Sequence, residues 1–179
     1  MVRRTLAWMA AALLLAAASP APAKDLMDAA ADTGNLNMLI AAIKAAGMEE
    51  MLRREGPFTI FAPDDNHGFM AIEDGGTYEA LLVDVARLRK LLSYHIVPGR
   101  IAAADLRYGA MPTELAGATL MASRREDDSI QVFGPYQGGG PYPGGVGING
   151  ATVIKADVEA SNGVIHVINA IIKPPDEPN

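Results

Sequence analysis

Residues Ser161 to Pro174 read Ser-Asn-Gly-Val-Ile-His-Val-Ile-Asn-Ala-Ile-Ile-Lys-Pro, a turn followed by nine almost wholly apolar residues, Val164 to Ile172. An apolar run of strand length, rich in β-branched residues, must be covered on both faces, so it belongs in the middle of a core and not at an amphipathic edge. Its two polar members, His166 and Asn169, fall on opposite faces of such a strand. Asn162-Gly163 before it predicts a two-residue hairpin turn with positive φ at both central residues.

The other end of the chain is of a different kind. Arg3 and Arg4 precede thirteen apolar residues, Leu6 to Ala18, and Ala21-Pro22-Ala23 supplies small residues for a cleavage site. Thirteen residues are too few to cross a bilayer as a helix, which takes about 20. Residues 1–23 therefore read as a secretory signal peptide, with Arg3-Arg4 as its basic n-region and not a twin-arginine motif. Residues 24–174 form one domain and residues 175–179 a short tail. The mature product is expected to have no membrane span and to be secreted or periplasmic.

The chain has no cysteine, which excludes a lipoprotein anchor, a disulfide framework and thiolate chemistry. Removing residues 1–23 takes away two of 15 basic side chains and none of 21 acidic ones, leaving a net charge of −8. Nucleic acid is a poor partner for such a surface.

Between the two ends the periodicity changes once. Asp25 is placed to cap a helix running through Ala31, and Asn35 a second helix with Leu36, Leu39, Ile40 and Ile43 on one face, which Gly47 stops. Met48 to Arg54 predicts a further helical turn, with Met51 and Leu52 inward. Pro57 to Ala62 predicts a strand, ended by Pro63-Asp64-Asp65-Asn66; Asp65 or Asn66 then caps a brief helix carrying Phe69 and Ile72. Helical spacing returns from Val83 to Ser93, with Leu81, Val85, Leu88, Leu91 and Leu92 as its stripe. Tyr94 to Val97 predicts a short strand. Beyond Leu106 the period is two: Thr119–Ser123, Ser129–Phe133, Ala151–Glu159 and Val164–Ile172 are successive strands, the third with Thr152, Ile154, Ala156 and Val158 on one face. Helices first and strands later make the class α+β.

Gly134 to Gly147 holds seven glycines and three prolines in fourteen residues and predicts a long loop, with Tyr136 and Tyr142 as its large side chains and candidate partner contacts. Gly145 to Gly150 matches a dinucleotide fingerprint by letter alone, because no strand precedes it and no helix begins within it. Asp64, Asp65 and His67 have the composition of a cation site, although capping of a helix N-terminus is the better use of the aspartates. His95 and His166 sit in apolar segments and are expected to be hydrogen-bonded core residues. Nothing proposes a nucleophile, a general acid or a cofactor site: no catalytic, cofactor or metal residue is nominated, and no enzyme is expected.

Three separated segments then converge. Gly56-Pro-Phe-Thr-Ile-Phe-Ala-Pro63 resembles the first box of fasciclin (FAS1) domains, Leu91-Leu-Ser-Tyr-His-Ile-Val-Pro-Gly99 is similar to their tyrosine-histidine motif, and Ser161-Asn-Gly-Val-Ile-His-Val-Ile-Asn169 is similar to their second box. The resemblance implies a wedge-shaped β-sandwich of about seven strands with helices packed on one side, the two boxes as neighbouring central strands, and Phe61, Pro63, Asn162, Gly163 and His166 as structural residues. It implies a noncatalytic module for cell adhesion or for binding an extracellular or envelope protein or polysaccharide, with Tyr94 and His95 mainly packing and hydrogen-bonding beside the boxes, although their segment is linked to adhesion in animal members and both are candidate partner contacts. The alternative it implies is a carrier of a small hydrophobic ligand, a lipid or carotenoid, for which the nine methionines and the Gly-Pro-Tyr loop would supply an adaptable lining. The chain departs from the pattern after Pro63, where Asp64-Asp-Asn-His-Gly precedes Phe69 and predicts a rearranged helix start, and in the long insertion after Phe133.

Overall fold

The computed structural model describes residues 24–69, 77–135 and 150–175. Five helices lead, α1 (Leu26–Thr33), α2 (Asn37–Ala45), α3 (Glu49–Arg54), α4 (Tyr78–Val83) and α5 (Val85–His95), with strand β1 (Phe58–Pro63) between α3 and α4. Six strands follow: β2 (Ile96–Pro98), β3 (Gly109–Pro112), β4 (Thr119–Arg124), β5 (Ile130–Phe133), β6 (Gly150–Ala160) and β7 (Gly163–Ile168). They form a single sheet in the order β2-β1-β7-β6-β5-β4-β3, in which β1 and β7 run parallel and every other pair antiparallel. The α+β class and the adjacency of the two boxes are as expected.

Alternation along β1 and β7 creates two cores. Phe58, Ile60 and Ala62, with Ile165 and Val167, face the helices and join Leu26, Leu39, Ile43, Leu52, Leu88 and Leu92 in one buried cluster. Phe61 and Ile168 face the other way and meet Leu120, Ala122, Ile130 and Val132 from β4 and β5. That second cluster draws on both halves of the sheet, so the sheet doubles back on itself. The bend lies in β6, whose register slips between Val153 and Lys155 and again between Lys155 and Val158, with Asp157 at φ 54°. Because of these bulges the expected two-residue alternation of β6 fails, and four successive residues, 154–157, are exposed.

The turn before β7 is built differently from its sequence signal. Ala160 pairs with Gly163, so Ser161-Asn162 are the two turn residues, and neither Asn162 nor Gly163 has positive φ. Gly163 serves close approach: a Cβ there would stand 2.2 Å from the carbonyl oxygen of Phe58 and 2.9 Å from Leu26 Cδ1. Asn162 is a junction. Its Oδ1 accepts from the Leu26 amide (2.9 Å), its Nδ2 donates to the carbonyls of Leu52 and Glu55 (2.8 Å each), and its own carbonyl accepts from the Phe58 amide (3.1 Å). One residue thereby ties α1, α3 and β1 to the β6–β7 turn, the helices through its side chain and the strand through its carbonyl.

Other boundaries also differ from expectation. Strand β7 stops at Ile168, because Asn169 leaves the ladder and pairs with Thr152 through both its backbone N–H and its side-chain Oδ1. Tyr94 and His95 close α5 and do not start β2, since His95 continues the Leu88, Leu91, Leu92 stripe. Asp84 splits the fourth helical segment in two by accepting from the Arg87 amide, which leaves Val85 exposed. Asp25 caps α1 as expected, but α2 has no cap from Asn35; Asp65, from 28 residues further on, accepts from the amides of Asn37 (2.9 Å) and Met38 (2.8 Å).

Both core histidines are held neutral by their bonds. His95 Nδ1–H donates to the Leu91 carbonyl (2.8 Å) while Nε2 accepts from the Ile172 amide (3.1 Å). His166 Nε2–H donates to the Ile101 carbonyl (2.8 Å) while Nδ1 accepts from the Asp157 amide (3.2 Å). An imidazolium has no lone pair for the second bond of either residue. Burial pushes His95 down to about 4, and it lowers His166 as well, against the opposing pull of the Ile101 carbonyl, Asp157 and Glu159.

Two expectations follow from these contacts. Asn162→Ala should cost about 2–3 kcal/mol in urea unfolding, because it strands an amide and two carbonyls, and Gly163→Ala should cost at least as much by forcing β1 away from β7. For His95, the unfolded chain takes up a proton from pH 6.5 downward and the folded chain resists until about pH 4, and His166 acts in the same direction. Stability should therefore be full above pH 6.5 and fall by about 3 kcal/mol for His95 as the pH drops to 4. His95→Gln, compared with the parent at pH 7 and 4.5, should flatten this dependence; an unchanged slope would show that the imidazole is not its source.

Candidate functional site

The sequence-nominated contact residues Tyr94 and His95 are inside the protein, at 0% and 3% exposure. Tyr94 sits in the second core, its hydroxyl donating to the Thr119 carbonyl (3.0 Å), and burial pushes its phenol up to about 12. A side chain at Gly134 would place a Cβ 2.6 Å from that hydroxyl, so Tyr94 packs directly beneath the end of β5. As direct partner contacts these two residues are corrected: both are fully engaged in joining α5 to β4 and to the C-terminal segment. Both ring nitrogens of His95 are bonded to backbone, which leaves it no free lone pair. Tyr136 and Tyr142 lie outside the described residues. Phe61 stacks on His166 with ring centroids 5.6 Å apart, and Pro63 pairs with Ile168 at the end of β1.

The Asp64, Asp65, His67 cluster is a pair of caps. Asp64, 2% exposed, accepts from the amides of His67 (2.9 Å) and Gly68 (2.8 Å) through Oδ1 and from His67 Nδ1 (3.0 Å) through Oδ2. Burial raises its pKa, but the hydrogen bonds from His67 and Gly68 outweigh it and the net shift is downward. Asp65 is occupied at α2. Asp64, and not Asp65 or Asn66, caps the turn that follows; Phe69 lies buried at its end, and Ile72 lies outside the described residues. Among the described residues no group of three or more His, Asp or Glu side chains is arranged to hold a metal ion.

Among the described residues the methionines belong mainly to the cores. Met27 and Met48 are buried, Met38 and Met51 pack against the helix-side cluster, and Met111 against the other; Met121 faces outward. No helix among the described residues is long and apolar enough to cross a membrane.

The surface divides at the bend of the sheet. On the β1–β7 half the outer face is covered by helices. On the β3–β6 half Met111, Leu120, Ala122, Ile130, Val132, Ala151 and Val153 point into the second core. The alternating positions therefore form the outer face: Ala110 and Pro112 on β3, Thr119, Met121 and Ser123 on β4, Gln131 and Phe133 on β5, Thr152 on β6. Register sets Ala110, Met121 and Phe133 in one row, and Ser123, Gln131 and Thr152 in the next. None of the eight is charged, and among the described residues no helix packs on them. Tyr108, 63% exposed, stands immediately before β3 at the sheet edge. Nothing in the hydrophobic pattern alone singled out this face, because its period is shared with the core face; the charge pattern of the strands was the signal available.

The Fasciclin domain family model matches residues 34–174. The chain is 42% identical over 155 residues to protein sll1483 of Synechocystis, covering 86% of this chain and 75% of that one. It is 30% identical over 154 residues to the transforming growth factor-beta-induced protein ig-h3 of Sus scrofa, where the match spans 86% of this chain but 20% of the relative. Among solved structures it is similar to a FAS1 domain pair from the insect cell adhesion molecule Fasciclin I, with a TM-score of 0.62 and 25% identity, covering 81% of this chain and 47% of the pair. With both boxes paired as central strands and the tyrosine-histidine motif packed beside them, the chain belongs to the fasciclin domain family.

Proposed function

We propose that the chain is an exported, noncatalytic fasciclin module that adheres to, or binds, an extracellular or envelope protein or polysaccharide. The similarity to a domain pair from a cell adhesion molecule carries this reading. Two features support it. The basic and apolar character of residues 1–23 suits export with cleavage, and the polar side chains of the three family segments, Tyr94, His95, Asn162 and His166, are committed to internal hydrogen bonds that hold the fold. Binding must then rest on outward-facing residues. Tyr136 and Tyr142, in the segment joining β5 to β6, are the contact residues this proposal retains from the sequence.

The test is capture with the chain as exported, immobilised and exposed to whole cells and to envelope fractions of its source. Retention of cells or of a defined envelope component, recovered chemically unchanged, is the expected result, with weaker retention by a Tyr136→Ala, Tyr142→Ala double variant. Turnover of a substrate that one point substitution abolishes would overturn the noncatalytic reading.

A further inference from the structure

We infer that the uncharged outer face of β3–β6 is a binding surface for a neutral polysaccharide chain. This rests on the proposed binding role and names the ligand class and the place. The first observation is electrostatic. Charged side chains make up 20% of the chain, yet the eight outward side chains of β3, β4, β5 and the part of β6 before its first bulge are neutral, while charges begin with Arg124, the last residue of β4 and on the opposite alternation, continue through Arg125, Glu126, Asp127 and Asp128 in the β4–β5 turn, and resume with Lys155 past the first bulge of β6. A solvent-facing sheet surface on an acidic domain ordinarily carries such charges. A polyanion would find no cation here to pair with, and a basic protein partner no anion.

The second observation is the kind of neutrality. The face is not an apolar patch: Thr119, Ser123, Gln131 and Thr152 bring hydroxyl and amide groups, and among the described residues none of their side chains hydrogen-bonds to the protein. Ser123, Gln131 and Thr152 lie side by side on three adjacent strands, spaced about 4.8 Å apart, so their donors and acceptors form a line across the sheet. The next row offers Met121 and Phe133 as an apolar strip. A pyranose ring has the matching character, with C–H groups on its faces and hydroxyls around its rim, and carries no charge. The ring faces rest on the phenyl of Phe133, and the rim hydroxyls meet the hydroxyl and amide line. Tyr108 extends the platform at the β3 edge with an aromatic ring that already has a polar tip. Addition of an extended peptide strand at the edges is less suited, because Pro98 in β2 and Pro112 in β3 remove donors from the two outermost strands.

The experiment is affinity electrophoresis of the exported chain in gels containing a neutral glucan, a mannan or a xylan, with alginate as the polyanionic control. Retardation by at least one neutral polysaccharide is expected, persisting in high salt because no ion pair is involved. Gln131→Glu and Phe133→Ala should each weaken it roughly tenfold or more, and Gln131→Glu, at a half-buried position outside both cores, should leave the unfolding midpoint unchanged. Absence of retardation by all three neutral polymers overturns the inference, as does retardation by alginate alone or retardation that Gln131→Glu leaves intact. Dimerisation abolished by Gln131→Glu, with no retardation, would assign the face to a second copy instead. Capture of an envelope component that survives Gln131→Glu sinks this inference and leaves the proposed binding role standing, whereas a chain that captures nothing fails both.

Discussion

The parallel contact between β1 and β7 is the constraint on which the rest of this structure depends. It joins Phe58 to Gly163 and Pro63 to Ile168, segments about a hundred residues apart in the chain, and it sets both cores, since each strand shows one face to the helices and one to the opposing half of the sheet. Such a pairing closes a long loop before it is rewarded, so it must be specified strongly where it begins. Gly163 and Asn162 provide that specification. The absent Cβ of Gly163 lets the backbones meet, and the Asn162 amide ties α1 and the end of α3 to the turn while its backbone carbonyl holds the start of β1.

The face of the same pair turned away from the helices is sealed by the segment after β2. Thr59 Oγ1 donates to the Gly99 carbonyl and accepts from the Ile101 amide, His166 takes the Ile101 carbonyl, and Asp157 accepts from the Ala103 amide. Arg100 adds an ion pair with Glu159 and a bond to the Ala160 carbonyl. A domain without cysteine thus closes its sheet by backbone groups bonded to buried side chains, two of them neutral imidazoles. The device is satisfied only while the imidazoles stay uncharged, which links the integrity of the fold to pH through the same atoms that hold it.

Much of this was legible in the residues, and the gaps have physical causes. The β1 and β7 strands were visible because both are buried on both faces and so carry unbroken apolar runs. The β3 strand was not: Gly109, Ala110 and Pro112 have no strand propensity and are exposed, and only pairing with β4 makes them extended. Asp65 was assigned to its own turn when its carboxylate reaches a helix 28 residues back, a contact that no local rule contains. Tyr94-His95-Ile96-Val97 has strand composition, yet its first two residues are helical because the stripe that began at Leu88 had one more turn to bury. Asn162-Gly163 suggested a left-handed turn where the glycine was needed for space.

The contact surface was the least legible part, and the reason lies in what the family segments do. A motif whose side chains are all consumed in packing and internal bonds identifies a fold while saying nothing of its partner. The information about binding sits in the alternate residues of the same strands, where hydrophobicity carries no signal because a solvent-facing position tolerates almost any side chain. What remains is charge. At the first bulge of β6 the sheet changes from the neutral row ending in Thr152 to the charged stretch of Lys155, Asp157 and Glu159, and Asp157 and Glu159 are bound to the sealing segment. The bulge that folds the sandwich thereby also separates a charged surface that serves the fold from a neutral one that serves no internal purpose. A neutral, hydrogen-bonding surface left over after every structural demand has been met is where a ligand without charge finds its place.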